Sequence, residues 1–337
     1  MATVVILGAG YSGIGIAHKL LKYTLPKVTD LKVILVSLSR ITFGTWAQCG
    51  VIRKMLLSSS LGWRLDLILR AIKHKSMSAM GQDIEYSHLV VATGASYPTK
   101  LPFTAIGSHE DMLDSWRELQ AKVEQAESIV ISGAGPTGIE TAAELASHFG
   151  SSKTITVILE GCYPLRGFMP QVGKIAANDL ASFGAKLIRN ARAVNSTKTD
   201  TGKTVVELSS GSNLEADLYL PLYGSRPNTQ FVPTHLLDDR GNLKLETNLR
   251  VQGLHNVWGV GDVGNLESKQ LIYAERQALH LGSNLHAVLT GGNVKPLRQR
   301  LLRKSLLHWG RIKGLDSMAG SGFLVLGSPL QRGGISS

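Results

Sequence analysis

In the central part of the chain, the spacing of apolar residues changes from one typical of a strand to one typical of a helix, and then back. Apolar, mostly β-branched residues at 129–131 predict a buried strand. A glycine-rich turn follows, and from Pro136 apolar residues recur at helical spacing until Gly150, which predicts a helix. A second apolar stretch at 154–159 predicts another strand, and this strand ends at Glu160. The pattern is therefore typical of a βαβ unit.

The same pattern occurs at the beginning of the chain. An apolar run at 4–7 leads into a glycine-rich turn, then into a helix to about Lys22 and a strand at 32–36. Two complete units in one chain predict an α/β protein with two Rossmann-like dinucleotide-binding domains.

The glycines in both turns have the spacing G-x-G-x-x-G. In this motif the first glycine permits the tight turn and the second lets the backbone approach a pyrophosphate. The third lets helix and strand pack closely, so that the helix N-terminus directs its free N–H groups at the phosphates. The candidate nucleotide-binding residues are Gly8, Gly10, Tyr11, Ser12 and Gly13 in the first turn, and Gly133, Gly135, Thr137 and Gly138 in the second.

The residue after the second strand of each unit bears on the kind of nucleotide. Glu160 stands where a carboxylate can hold a ribose 2′-hydroxyl and repel a 2′-phosphate, which predicts a preference for NADH over NADPH. Ser37 occupies the equivalent place in the first unit, where an acid would be expected to bind the ribose if the nucleotide is a flavin dinucleotide. The Ser37 hydroxyl can still form a hydrogen bond there. Two nucleotide sites favour a chain that binds FAD and NAD(P)H and transfers hydride between them.

Two further strands end in turns whose backbone can pass close to a cofactor. One strand runs to Val91 and ends in Ala-Thr-Gly, and the other ends in Gly-Asp at 261–262. A carboxylate in the second turn could accept hydrogen bonds from a ribityl chain. The candidate residues are Ala92, Thr93 and Gly94 in one turn, and Asp262 and Val263 in the other.

Composition narrows the class of protein. Hydrophobic residues make up 43% of the 337 residues and charged residues 18%, and no apolar run has the length of a membrane span. The two cysteines, Cys49 and Cys162, form no C-x-x-C pair, so we expect neither a redox dithiol nor a disulfide framework nor a metal site. The first strand begins at Thr3, which leaves no room for a targeting peptide, and we expect a cytoplasmic location.

The net charge of +11 is unevenly distributed. No acidic residue occurs between Arg276 and Leu315, and leucines are interleaved with the basic residues there. Such a segment could lie on an anionic membrane surface, but its apolar positions do not gather on one helical face, which favours a solvated segment. No motif for specific nucleic-acid recognition accompanies the charge. The basic residues are Lys295, Arg298, Arg300, Arg303, Lys304, Arg311 and Lys313.

Taken in order, these motifs resemble those of the two-dinucleotide flavoproteins, which include glutathione reductase, type II NADH dehydrogenase and apoptosis-inducing factor. The resemblance is greatest to the fungal apoptosis-inducing-factor-like proteins, which are relatives of ferroptosis suppressor protein. The motifs are GAGYSG (8–13), LVVATGASYP (89–98), ISGAGPTGIETAAEL (131–145), YGSRPNTQF (223–231), VWGVGDV (257–263) and ERQALHLGSNL (275–285).

The resemblance implies an FAD-dependent NAD(P)H oxidoreductase that passes hydride to flavin and electrons to a quinone-like or other small acceptor. It implies a glutathione-reductase-like arrangement in which an FAD-binding domain, formed by 1–100 and 225–290, is interrupted by an NAD(P)-binding domain at 101–224. The remaining region, 291–337, resembles a truncated form of the family's C-terminal domain.

The resemblance also implies roles for particular residues. Asp262 would hold the ribityl chain, and Gln277 would lie near the edge of the isoalloxazine ring. Glu140 matches a glutamate near the contact of nicotinamide and flavin, although an acid at a helix N-terminus is also favoured by the helix dipole. Arg53 is a candidate for the family's arginine, but the stretch 38–80 around it departs from the family pattern.

Two alternatives remain open at this point. One is a degenerate flavoprotein that acts without catalysis through its basic surface, on a membrane or on nucleic acid. The other is a tailoring oxidoreductase of fungal secondary metabolism. Disulfide reduction is disfavoured, because it needs paired cysteines beside the flavin.

Overall fold

Two compact units make up the part of the chain that the structure, a computed structural model, describes. The first unit contains residues 2–114 and 225–298, and the second unit contains 115–224. Within these ranges the described residues are 2–36, 56–58, 76–79, 82–99, 101–104 and 109–298.

The N-terminal segment forms one helix and seven strands among its described residues. The helix continues for one π-helical turn, Leu20–Thr24. The elements are β1 (Ala2–Leu7), α1 (Tyr11–Lys19), β2 (Leu31–Val36), β3 (Leu56–Ser58), β4 (Ser76–Ala79), β5 (Gln82–Glu85), β6 (His88–Val91) and β7 (Ala95–Ser96).

The middle of the chain follows the order helix, strand, helix, strand, helix and then a run of short strands. Its elements are α2 (His109–Gln125), β8 (Ser128–Ser132), α3 (Pro136–Phe149), β9 (Thr154–Ile158), α4 (Pro170–Ser182), β10 (Lys186–Ile188), β11 (Ala193–Lys198), β12 (Thr204–Leu208), β13 (Asn213–Ala216) and β14 (Leu218–Pro221). The last described segment adds β15 (Arg226–Pro227), β16 (Val257–Gly259) and α5 (Leu271–Leu289).

The first unit is built on a parallel sheet with the strand order β16-β6-β1-β2-β3. Its central strand β1 is fully buried from Val4 to Leu7, as expected for a parallel strand covered on both faces. Helix α1 packs on α5, where Gly15 allows Ala278 to come close. Because the strands are parallel, the carboxyl ends of β1, β6 and β16 lie at one edge of this sheet.

The second unit repeats this plan with a parallel sheet in the order β10-β9-β8-β14. A separate antiparallel sheet, β11-β12-β13, belongs to the same unit. Side chains of both sheets share one apolar cluster, in which Val130 of β8 and Val206 of β12 are buried.

These two units confirm the predicted α/β class with two Rossmann-like domains. The stretch at 186–194 could be taken for one strand, but it is divided into β10 and β11. Asn190, between them, has φ 55°, a left-handed conformation that turns the chain into the other sheet. The first predicted helix is also modified, since its α-helical part ends at Lys19.

None of the described helices is both long enough and apolar enough to cross a bilayer. Most of the basic segment between 295 and 313 lies outside the described residues, as does the rest of the chain from 299 to 337.

Candidate functional site

The two glycine-rich turns have the same geometry. Their first glycines, Gly8 and Gly133, have φ angles of 105° and 111°. A Cβ on Gly8 would lie 2.3 Å from the carbonyl oxygen of Ala92. A Cβ on Gly133 would lie 2.3 Å from the carbonyl oxygen of Leu222. Each turn is thus pressed against the end of a neighbouring strand, which only glycine allows.

The second glycine in each turn faces open space. Gly10 and Gly135 are exposed, and a Cβ on either would meet no described atom within 4 Å. Both are the N-caps of their helices, α1 and α3, and no side chain among the described residues caps either helix. The N-terminus of each helix therefore opens towards space that no described residue fills, which fits a pyrophosphate group in each unit.

Neighbouring residues of the first turn have different environments. Tyr11 is about half exposed, at 49%. Ser12 is buried, and its hydroxyl donates a hydrogen bond to the carbonyl oxygen of Ala274 in the first turn of α5, at 3.3 Å. The role of Ser12 at the cofactor stays a prediction, and its hydroxyl is bonded to the protein.

The Gly-Asp turn after β16 lies against the same glycine-rich turn. Gly261 has φ 76°, and a Cβ on it would lie 2.8 Å from Oγ of Ser12. Its N–H donates to Oε1 of Gln277 at 2.8 Å, and Nε2 of Gln277 donates to Glu267 at 2.9 Å. Glu267 in turn pairs with Arg276. Both ends of the buried Gln277 amide are therefore occupied in holding this turn.

Asp262 is the charged residue of that turn, and its neighbour Val263 is fully buried. Burial raises the pKa of the Asp262 carboxyl, and the ammonium group of Lys269 opposes this shift. Burial likewise lowers the pKa of the Lys269 ammonium group, and the carboxylates of Asp262 and Asp238 oppose this shift. Asp262 and Lys269 are thus both partly desolvated, and each favours the charged form of the other.

A residue that sequence reasoning assigned no role, Asn228, fixes the Ala-Thr-Gly turn. The Thr93 hydroxyl donates to the Asn228 carbonyl oxygen at 2.8 Å, and Nδ2 of Asn228 donates to the Thr93 carbonyl oxygen at 2.9 Å. The Asn228 N–H donates to Gly94, and its Oδ1 accepts from Ser96. Asn228 appears in the motif YGSRPNTQF, but nothing in that string indicates a partner 135 residues away.

In the second unit, Glu140 lies half-buried on α3, close after the glycine-rich turn. Burial raises the pKa of its carboxyl to about 7, and the carboxylate of Glu144, one helical turn further on, adds to the shift. Between the turn and Glu140, the carbonyl oxygen of Thr137 accepts a hydrogen bond from the Thr141 hydroxyl. Near neutral pH the Glu140 carboxyl can therefore both release and accept a proton.

Glu160 follows the end of β9 and is exposed. Its Oε2 lies 3.4 Å from Nη1 of Arg166, and the two side chains are 54% and 85% exposed. An ion pair this exposed holds neither side chain firmly. The carboxylate is therefore available to a ribose hydroxyl at this edge of the sheet. Two other predicted site residues, Ser37 and Arg53, lie outside the described residues.

Comparison with known proteins adds a family match. The sequence profile described as "Pyridine nucleotide-disulphide oxidoreductase" matches residues 2–278. Oxidoreductase ptaL of Pestalotiopsis fici is 29% identical over 351 residues, covering 96% of this chain and 94% of the relative. Human ferroptosis suppressor protein 1 is 24% identical over 352 residues, covering 94% of this chain and 88% of the relative.

Solved structures share the fold. A ferredoxin reductase from Rhodopseudomonas palustris aligns with a TM-score of 0.64 at 19% identity, covering 88% of this chain and 78% of that one. The water-forming NADH oxidase from Lactobacillus brevis, solved with NADH bound, aligns with a TM-score of 0.66 at 15% identity, covering 88% and 71%.

Proposed function

Because this chain belongs to the pyridine nucleotide-disulphide oxidoreductase family, we propose that it oxidises NADH with a bound FAD and passes the electrons to a quinone-like acceptor. The family uses flavin and pyridine nucleotide, so the prediction of an oxidoreductase of this class is confirmed, and the alternative of a tailoring oxidoreductase of fungal secondary metabolism is not favoured over it. The identity of the flavin as FAD, the coenzyme preference and the acceptor are proposals.

The observation that carries the proposal is the recurrence of one phosphate-binding geometry in two separate units. Gly10 and Gly135 each open a helix N-terminus to space that a pyrophosphate fits. A chain with a single nucleotide would need only one such turn. We assign FAD to the first unit and NADH to the second.

The assignment of FAD to the first unit is supported by Asp262. The Gly-Asp turn lies against the glycine-rich turn of the same unit. A carboxylate there can accept hydrogen bonds from a ribityl chain that leads away from the pyrophosphate. Gln277 holds the turn through Gly261, and Asn228 holds the Thr93 backbone, so that both turns are presented rigidly.

The assignment of NADH to the second unit is supported by Glu160. Its exposed carboxylate follows β9, the second strand of the unit, where a ribose 2′-hydroxyl can donate to it. The helix N-terminus at Gly135 would bind the pyrophosphate.

A flavin held by the turns of the first unit would supply the two-electron redox chemistry that links NADH to the acceptor. The chain's own contribution is to bind both nucleotides and to manage protons. Glu140, with a pKa of about 7, would hold or release a proton at its carboxyl group during the reaction with NADH. A quinone-like acceptor is proposed because the two cysteines, Cys49 and Cys162, lie far apart in the sequence and form no C-x-x-C pair, which disfavours disulfide reduction.

Anaerobic flavin spectroscopy tests the proposal. Protein reconstituted with FAD is mixed with NADH and then with a water-soluble ubiquinone analogue or with glutathione disulfide. NADH should bleach the flavin absorbance, and the quinone analogue should restore it faster than the disulfide does. Protein that binds no FAD, or a bound flavin that NADH does not bleach, would contradict the assignment.

A further inference from the structure

The loop at 160–168, which follows β9, is fastened to the glycine-rich turn of the second unit. The N–H of Leu165 donates a hydrogen bond at 2.8 Å to the carbonyl oxygen of Ala134, which lies between Gly133 and Gly135. Leu165 is buried and has φ 58°, a left-handed conformation that is rare for a bulky residue. Such a conformation costs free energy and persists only where the surroundings hold it. The loop therefore has a fixed place beside the proposed pyrophosphate site.

The middle of the same loop is held from two further sides. On one side it touches helix α4, where a Cβ on Gly173 would lie 2.5 Å from the carbonyl oxygen of Pro164 and 3.0 Å from Cβ of Tyr163. On the other side, the N–H of Asn190, just after β10, donates to the carbonyl oxygen of Gly161 at 3.3 Å. The backbone at Tyr163 is thus enclosed between the first turn of α4 and the end of β10.

The side chain of Tyr163 stays open in spite of this firm attachment. The residue is 42% exposed. Two cations lie over its ring, the Arg189 guanidinium at 5.4 Å and the Lys174 ammonium at 5.7 Å from the ring centroid. Because cations are attracted to an aromatic ring, these two contacts orient it. The loop therefore presents a flat aromatic surface, with a defined orientation, to solvent.

The position of this ring along the sheet indicates what it would contact. The strands of the second unit lie in the order β10-β9-β8, and their carboxyl ends share one edge. Gly135 follows β8, Glu160 follows β9, and Tyr163 packs against Arg189, which follows β10. Neighbouring strands are about 4.8 Å apart, so these positions span about 10 Å along the edge. The adenosine half of NADH has the matching order of pyrophosphate, ribose and adenine.

We propose that the Tyr163 ring stacks on the adenine of NADH and thereby selects the complete dinucleotide over reduced nicotinamide mononucleotide. This inference rests on the proposed binding of NADH in the second unit. None of the motifs described above includes Tyr163. Stacking uses the face of the ring and involves no covalent or redox step, so its contribution is to the affinity of the coenzyme.

The first test measures binding of ADP-ribose to the holoprotein by calorimetry, since ADP-ribose contains the adenine, the ribose and the pyrophosphate but no nicotinamide. Tyr163→Ala should bind ADP-ribose about tenfold more weakly or worse, because the stacking of a base on an aromatic side chain is lost. Tyr163→Phe should bind it as tightly as the wild type, because the ring face makes the contact. Val194→Ala, which truncates an exposed apolar residue of the same unit, should leave the Kd unchanged.

The second test compares the two coenzymes in steady-state kinetics. Tyr163→Ala should raise KM for NADH and leave kcat unchanged, because the adenine takes no part in hydride transfer. With reduced nicotinamide mononucleotide, which lacks the adenosine half, KM should equal that of the wild type. An equal rise of KM for both coenzymes would show that Tyr163 acts through the shape of the whole site and would overturn the inference.

The outcomes also separate this inference from the proposed function. Tyr163→Ala protein that binds ADP-ribose as tightly as the wild type would overturn the inference, and so would a loss in Tyr163→Phe as large as that in Tyr163→Ala. If Tyr163→Ala does not fold, Tyr163→Leu supplies the comparison, because leucine keeps apolar bulk without a flat ring. Wild-type protein that binds neither ADP-ribose nor NADH would instead contradict the proposed NADH site itself.

Discussion

A Cβ atom on Gly138 would lie 1.8 Å from the carbonyl oxygen of Gly133. Gly13 and Gly8 have the same relationship, at the same 1.8 Å. No side chain fits at such a distance, so the third glycine of each turn is required for the helix to pack on its strand. The second glycine of each turn has open space instead, and its requirement comes from the ligand.

This difference predicts opposite behaviour for two pairs of variants. Gly10→Ala and Gly135→Ala should fold with nearly unchanged melting temperatures, because both positions are open and have φ near −75°. Each should bind its own nucleotide at least about tenfold more weakly, since a methyl group would stand in the phosphate space. Gly10→Ala should weaken FAD and spare NADH, and Gly135→Ala should do the reverse, as measured by titration of each nucleotide.

Gly13→Ala and Gly138→Ala serve as the matched comparison. Each should destabilise its unit by about 3 kcal/mol or more, because the new methyl group collides with backbone. Thermal melts followed by circular dichroism measure the effect. A Gly138→Ala protein as stable as the wild type, or a Gly135→Ala protein that fails to fold, would contradict this division of roles.

The contrast also shows which parts of the site the sequence could predict. The glycine-rich turns were predictable because the third glycine touches the first, five residues earlier, and the pattern is contained in one short stretch. Asn228 was missed because its partner Thr93 is 135 residues away in sequence. Gln277 was expected at the ring edge by resemblance, but only the structure shows its amide bonded to Gly261 and Glu267.

The same limit applies to the fold. Strand β1 and helix α3 can be predicted from the spacing of apolar residues alone, since β1 buries a continuous apolar run and α3 buries one face. The break between β10 and β11 cannot, because the apolar pattern continues up to Ile188 and again from Ala191. A left-handed Asn190 sends the chain into another sheet, and asparagine tolerates this conformation without requiring it.

Glu140→Gln should slow reduction of the flavin by NADH more than it weakens FAD binding. The residue lies in the second unit, on the helix that follows the proposed NADH pyrophosphate site, so it should not contribute to the FAD pyrophosphate site. Stopped-flow absorbance under anaerobic conditions gives the reduction rate, and we expect a loss of about tenfold or more. Reduction at the wild-type rate would leave Glu140 as an acid favoured only by the helix dipole. Glu207→Gln, an exposed acid of the same unit, is the control.

Glu140→Gln should also change how stability depends on pH. The folded carboxyl titrates at about 7, raised by burial from its ordinary 4.5. Between these values the folded protein holds a proton that the unfolded chain has released, so stability falls as pH rises from about 4.5 to about 7. Removing the carboxyl should therefore stabilise the protein above pH 7, by up to about 3 kcal/mol, and have little effect below pH 4.5.

Denaturant unfolding at saturating FAD, at a series of pH values, measures that difference. Glu207→Gln, which removes an exposed acid of the same unit, is the control. A Glu140→Gln protein whose advantage over the wild type is the same at acidic and at alkaline pH would show that the Glu140 carboxyl titrates normally in the folded state.

NADH should be preferred over NADPH by at least about tenfold in kcat/KM, because the Glu160 carboxylate accepts a bond from a 2′-hydroxyl and repels a 2′-phosphate. Arg166, 3.4 Å from Glu160, could instead pair with that phosphate, but both side chains are too exposed for a strong contact. Glu160→Ala should therefore bring the two coenzymes close to equal efficiency, and Arg166→Ala should lower the efficiency of NADPH further. Glu207→Ala, which removes an acid elsewhere in the unit, should leave the ratio unchanged. Wild-type protein that uses NADPH as well as NADH would show that Arg166 outweighs Glu160.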